Sequence, residues 1–362
     1  MAAHPDAYTV YVGTYQGEGE ESLFRLRFDP ASGGLEPPAV VARTARPSFL
    51  AFHPTGRYLY AVSEADGGAG GAVCAFAIPA DGRGEHRLLS RRPAHGRSTC
   101  HVSVDATGRC VLVANYGGPS VALFRVRPDG GLDEAAAVFR HAGGGAHPRQ
   151  SAAHPHMVRI DPTNRFVYVP DLGTDEVVAY RLDPEAGTLA AHDQSPAARA
   201  AAGSGPRHLD FHPELPYAYV VNELDSTVAA YAWDRTAGTL RELQRLSALP
   251  EGFQGESTCA DIHVHPDGRY LYASNRGDDS IAVFRIDADS GRLTPAGHVS
   301  TGGRTPRNFA IDPTGAFLLV ANQDSDSIAV FRIDPPHGTL TPASQLRLAK
   351  PACIRFAPDR QG

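Results

Sequence analysis

Lysine is almost missing from this chain: Lys350 is the only one among 34 lysines and arginines in 362 residues. The arginines are scattered, no Lys/Arg-rich run occurs and the formal net charge is -6, so no electrostatic footprint for a nucleic acid is present. Cysteine is scarce as well. The five present (Cys74, Cys100, Cys110, Cys259, Cys353) form no CxxC pair and lie mostly in strand-like text, which reads as reduced, buried thiols of a cytoplasmic protein. The N-terminal MAAHPDAYTV lacks the apolar centre of an export signal, and no stretch approaches the ~20 apolar residues of a spanning helix. Neither export nor a membrane partner is expected.

What is abundant is punctuation, with 37 glycines and 29 prolines, and it is periodic. Pro54, Pro162, Pro213, Pro266 and Pro313 recur about every fifty residues, with Ala106 in the same slot and Pro358 near the end. Around them stand PSFLAFHPTGRYLYAVSE, CHVSVDATGRCVLVANY, HMVRIDPTNRFVYVPDL, RHLDFHPELPYAYVVNE, ADIHVHPDGRYLYASNR and RNFAIDPTGAFLLVANQ. A period of this length is the mark of a propeller or solenoid.

Each unit alternates apolar residues before the anchor, as at Leu209 and Phe211, and carries two β-rich runs after it, the second being Val228 to Tyr231 in that copy. Helices have almost no room. An Asp/Gly turn such as DRTAGTL then leads into a fourth strand, and four antiparallel strands make a propeller blade. Tyr8 to Tyr15 reads as a second strand without a first, and Pro351 to Pro358 as a first without a second. Joining them closes a ring and removes exposed strand edges. The expected fold is all-β: one domain, 1–362, of seven four-stranded blades, with the C-terminal strand innermost in blade one. Blades share cores with their neighbours, so length alone does not divide the chain.

The repeat also locates a site. Entry to the first strand and exit from the second fall at the end of the propeller opposite the anchor turn. Six residues before each anchor stand Ser48, Cys100, His156, Arg207, Ala260, Arg307 and Ala352. Ten after stand Glu64, Tyr116, Leu172, Glu223, Arg276, Gln323 and Tyr15, each expected to face its counterpart across the hairpin. A residue the scaffold needs recurs in every unit, whereas one needed by chemistry occurs once. His53, His212 and His265, sharing their slot with Asp105, Asp161 and Asp312, are therefore read as structural groups bonded to the turn backbone. Asn115, Asn222, Asn275 and Asn322 recur too and are expected to tie the second strand to the loop beyond it. His156, Arg207, Glu223 and Arg276 break the repeat's consensus and concentrate charge at one rim, although a purely structural ion-pair network there is the alternative. His101, Asp261 and Arg307 form a second tier. A metal site built from His154, His156, His101 and His208 is not expected, because the spacing is wrong and the nearby arginines repel cations.

These passages, above all HPHMV, GPRH, VNEL and SNRG, resemble the seven-bladed propeller lactonases over the whole chain. That family includes the bacterial propeller-type 6-phosphogluconolactonase and the fungal carboxymuconate-lactonizing enzyme. The resemblance implies a site of His156, Arg207, Glu223 and Arg276, the same four that the repeat isolates. It implies hydrolysis of an anionic lactone, foremost 6-phospho-D-glucono-1,5-lactone of the pentose phosphate pathway, and no cofactor or metal is expected. Such chemistry needs a base for water, positive donors for the carbonyl oxygen and a proton for the leaving alkoxide. No GxSxG motif is present, so water attacks directly. His156 is the expected base with Glu223 orienting, and Glu223 as base is the alternative. Arg207 and Arg276 are expected to bind the carbonyl oxygen or an anionic tail, and Arg307 or His101 the phosphate, with Asp261 beside them. Two other functions remain open at this stage, muconate cyclisation and a non-enzymatic interaction platform, as do a monomer and a dimer. The Gly/Ala-rich connections from Arg140 to His154 and from Ala197 to Gly205 flank the mouth and are placed to act as lids.

Overall fold

The computed structural model describes residues 6–17, 19–64 and 70–358, and it arranges them as seven antiparallel sheets. Blade five is typical: Pro206–Phe211, Tyr217–Asn222, Thr227–Asp234 and Thr239–Ser247 follow one another from the channel outward. Blade one is completed from both termini, with Pro351–Phe356 hydrogen-bonded alongside Tyr8–Thr14. The all-β, seven-bladed expectation and its mode of closure both hold.

Burial explains why the inner strands read as continuous apolar text. Pro206–Phe211 is buried at every position because neighbouring blades cover both faces, while the outermost Leu132–Arg140 exposes alternate residues. The cores lie between blades. Tyr219, Val221 and Val228 of blade five pack with Ile262, Leu271 and Phe284 of blade six, and Val10, Leu26 and Phe28 of blade one pack with Phe317, Leu319 and Val330 of blade seven. Each fully buried large side chain contributes about 1.5–3 kcal/mol, so a blade gains most of its stability from its neighbours.

Polar ties repeat with the same period. The His212 ring accepts from Glu214 N at 3.1 Å through Nδ1, leaving Nε2–H to donate to Gly268 O of the next blade at 3.0 Å. His53 and His265 do the same toward Gly108 O and Gly315 O. These imidazoles staple one anchor turn to the next, as their recurrence implies. The Asn residues do what was expected and more: Asn115 Nδ2 and Asn275 Nδ2 reach across the loop beyond the second strand to Ser120 Oγ and Ser280 Oγ at 3.0 and 3.1 Å, and they also donate to Ala94 O and Ala248 O, both at 2.7 Å, in the connection ahead of the first strand.

The pairing at the rim departs from the count. Glu223 N donates to Gly205 O and Arg276 pairs with Thr258, so the expected partners Arg207 and Ala260 are displaced by two residues. One residue of this comes from the hairpin centre. The other comes from a bulge before His208 in blade five and between Cys259 and Ile262 in blade six. A bulge leaves its extra residue outside the ladder and re-aims the side chain. In blade four the His154-Pro155-His156 segment replaces the start of the first strand. Pro155 lacks an N–H to donate, and the strand is reduced to Arg159–Ile160 after a single bridge from Pro155 to Asp171.

Candidate active site

The rim residues converge on a cavity of about 190 Å³ lined by Tyr15, Glu64, His156, Glu223, Arg276 and Arg307, with Cys100, Tyr116, Ser98 and Arg149 completing the wall. Every blade reaches it. The bulge in blade five tucks Arg207 beneath this cavity, where it is 2% exposed and lines a smaller deep recess with His156 and His208.

Glu223 is the electrostatic centre. Its Oε2 accepts from Arg207 Nε at 2.8 Å and faces Arg276 Nη2 at 3.0 Å, and its Oε1 faces Arg149 Nη2 at 2.6 Å. Burial works to raise its pKa, but Arg276, Arg207 and Arg149 overcome that and hold it near about 2. Both oxygens of this permanent anion are thus engaged. Arg207 also donates through Nη1 to Ala260 O, and burial together with Arg276 lowers its pKa to about 10.

His156 is held differently. Its backbone N–H donates to Pro170 O, its ring meets those of Tyr116 and His208 edge-on, and Nδ1 is buried without a partner among the described residues. Burial first, then Arg207, His208 and Arg307, push its pKa well below the ordinary imidazole value, so the ring is neutral at physiological pH. Arg307 lies over the Tyr15 ring at 4.8 Å, and among the described residues its guanidinium has no hydrogen-bond or ion-pair partner. Of the three arginines lining this cavity, Arg149 and Arg276 are engaged by such partners and Arg307 is not.

Two expected residues go elsewhere. His101 and Asp261 turn toward the anchor-turn end of the channel and line a larger cavity of about 430 Å³ there, with Arg159, Asp210, His263 and Arg355. Asp261 accepts from His208 Nδ1 at 2.7 Å, and His101 packs on Phe49 with ring centroids 3.9 Å apart. Of the four histidines considered for a metal, His154 stands apart, lying flat on Tyr116 and bonding the Tyr116 carbonyl, while His208 meets the rings of His101 and His156 edge-on with centroids 5.6 and 5.3 Å away. No cluster of three or more metal-ligating groups occurs among the described residues.

Arg149 escaped the repeat count because it belongs to no blade. It sits on a short 3-10 turn, Pro148–Gln150, within the Gly-rich connection after blade three. Buried Gln150 pins that turn by donating to Leu172 O and Asp175 Oδ1, both at 2.8 Å. The second connection is anchored to the same aspartate through Gly203 N and Gly205 N. An arginine beside a proline in a Gly-rich loop at the mouth was the available signal.

A closed seven-bladed ring with a carboxylate, an unprotonated imidazole and converging guanidinium groups in a cavity at one end defines a β-propeller with a charged site of small-molecule size. The chain belongs to the family described as lactonase, 7-bladed beta-propeller, whose model matches residues 9–356. It is 39% identical over 302 residues to a 6-phosphogluconolactonase of Bacillus subtilis, covering 83% of this chain and 84% of that one. A 6-phosphogluconolactonase of Formosa agariphila is 37% identical over 286 residues, 78% of this chain and 80% of that one. Among solved structures, a periplasmic gluconolactonase of Pseudomonas aeruginosa superimposes with a TM-score of 0.90 at 35% identity, over 97% of this chain and 99% of that one. No helix of the described residues is long and apolar enough to cross a membrane.

Proposed function

We propose that this protein, read as one propeller domain over 1–362, hydrolyses 6-phospho-D-glucono-1,5-lactone to 6-phosphogluconate by direct attack of water. The observation that carries the mechanism is the split between two groups in one cavity: Glu223 has both oxygens held by guanidiniums, whereas His156 is neutral and unengaged at Nδ1. His156 is then the base and Glu223 the anion that keeps the arginines in place. Arg276 stands to receive the carbonyl oxygen as it gains charge, and Arg307 to receive the phosphate. Arg207, too deep to touch substrate, positions Glu223.

Substrate charge has a second effect in this reading. The arginine field makes His156 a weak base in the free enzyme, and an anionic ligand offsets that field, raising its proton affinity when substrate is bound. The names of the Bacillus and Formosa relatives support the phosphorylated lactone. That of the Pseudomonas structure favours an unphosphorylated gluconolactone as the second reading, and its printed compartment leaves the expectation of a cytoplasmic enzyme as a proposal. Acid release from freshly made phosphogluconolactone and gluconolactone, against the spontaneous background, decides. Faster release from the phosphorylated lactone, visible in kcat as well as KM, is the expected result. A preference for gluconolactone selects the second reading, and no acceleration of either removes both.

A further inference from the structure

Breaking the lactone ring leaves an alkoxide, and nothing assigned so far protonates it. Glu223 is an anion with both oxygens occupied, and His156 has just taken a proton from water. One other carboxyl lines the same cavity. Glu64 follows the strand Tyr58–Ser63 of blade two, across the ring from blade five. Ser48 Oγ and, at 3.3 Å, Tyr15 O–H both donate to its Oε1. Oε2 has no partner among the described residues, on a side chain partly exposed to the cavity. With Oε1 taken by two donors, Oε2 is the atom that faces the ligand space unengaged, and it is the one that carries the proton when Glu64 is in its acid form.

Resting on the lactone reading above, the geometry points to Glu64 as the general acid of the reaction, donating from Oε2 to the departing ring oxygen. Water adds to the carbonyl carbon as His156 takes one of its protons. The carbon–oxygen bond of the ring then breaks, its electron pair goes to the ring oxygen, and Glu64 supplies the proton that completes the hydroxyl. Glu64 is left as carboxylate and regains its proton from imidazolium through solvent, while the new carboxylic acid ionises. Lactone and water thus become carboxylate, alcohol and one proton.

The surroundings agree. Burial raises the Glu64 pKa, against the opposing pull of the Ser48 hydrogen bond, Arg307, Tyr15 and Arg46, while Cys100 and Tyr116 of blade three line the remaining side. Two carboxyls of one cavity are therefore driven in opposite directions, the arrangement that separates a proton donor from a fixed charge.

Steady-state kinetics with phosphogluconolactone across pH, background subtracted, test the assignment. Glu64→Gln is expected to lower kcat about 100-fold with little change in KM, and to abolish the alkaline fall in rate that wild type shows as Glu64 loses its proton. Glu64→Asp should retain more activity than Glu64→Gln. Tyr15→Phe, which removes one hydrogen bond to the carboxylate form, should move the alkaline fall to higher pH whether or not the glutamine variant folds. Wild-type kcat in Glu64→Gln, a loss confined to KM, or an unmoved alkaline limb in Tyr15→Phe would overturn the role of Glu64 while leaving lactone hydrolysis standing. A wild-type protein inactive on every lactone removes both.

Discussion

Glu223 and His156 make different demands on a substitution, which allows their roles to be separated. His156→Ala should lower turnover at least about 100-fold and leave the denaturation midpoint nearly unchanged, because the ring makes no side-chain hydrogen bond among the described residues. Retention of wild-type kcat would remove it as base. Glu223→Gln should also lower turnover by about that factor, but here stability falls too. The neutral amide leaves Arg207 and Arg276 facing each other without their shared anion, and uncompensated buried charge costs about 3–5 kcal/mol. Urea unfolding distinguishes the two: equal midpoints for both variants would contradict the electrostatic account. The sequence exposed these residues because they interrupt a consensus. It could not show that Arg207 is sealed below the cavity, since burial at the rim depends on the bulge. Nor could it set Glu64 apart, because a lone glutamate at a rim position is ordinary and its meaning lies in two donors arriving from blades one and two.

Among the elements, the anchor turn leaves little room for a side chain. Gly108 has φ +75, and a Cβ there would lie 2.2 Å from Nε2 of the His53 ring that staples the turn. Gly19 has a similar φ of +80 but open space around it. Gly108→Ala should therefore destabilise by more than the roughly 1 kcal/mol of left-handed strain expected for Gly19→Ala, and chemical denaturation of the pair checks it. Equal losses would mean that the staple yields freely. This turn was fully legible in the text, because Gly or Asn after the anchor and His or Asp before it recur by period. The rim was legible by position and not by partner. Eight of the ten cavity residues occupy the six-before or ten-after slots, and Ser98 and Arg149 do not. Yet the facing pairs were misjudged by two places, one from the hairpin centre and one from a bulge, whose extra residue no repeated feature of the text marks.

For the whole molecule, acid is the expected weakness. Burial leads the causes that lower the pKa values of His101, His156 and His208, the last to about 4. An imidazole depressed in the folded state stays neutral there while the unfolded chain takes up a proton below about pH 6.5. Stability then falls as pH drops from that value toward the folded pKa, by up to about 1.4 kcal/mol per pH unit for each such group. The raised Glu64 opposes this in part, binding its proton earlier in the folded state. Glu223, already depressed, adds a loss only from the ordinary carboxylate range down to about 2. Calorimetric scans should show a falling Tm between pH 6.5 and 4, and a level Tm across that interval would show the channel histidines to be solvated.

The strand Pro351–Phe356 that completes blade one is synthesised after every other strand of the ring, and Tyr15, beside it, belongs to the wall of the cavity. Partial products of translation thus have no partial version of the pocket. A chain that stops before Pro351 carries nearly all the chemistry without the closed ring, so the pocket is completed only when that strand docks.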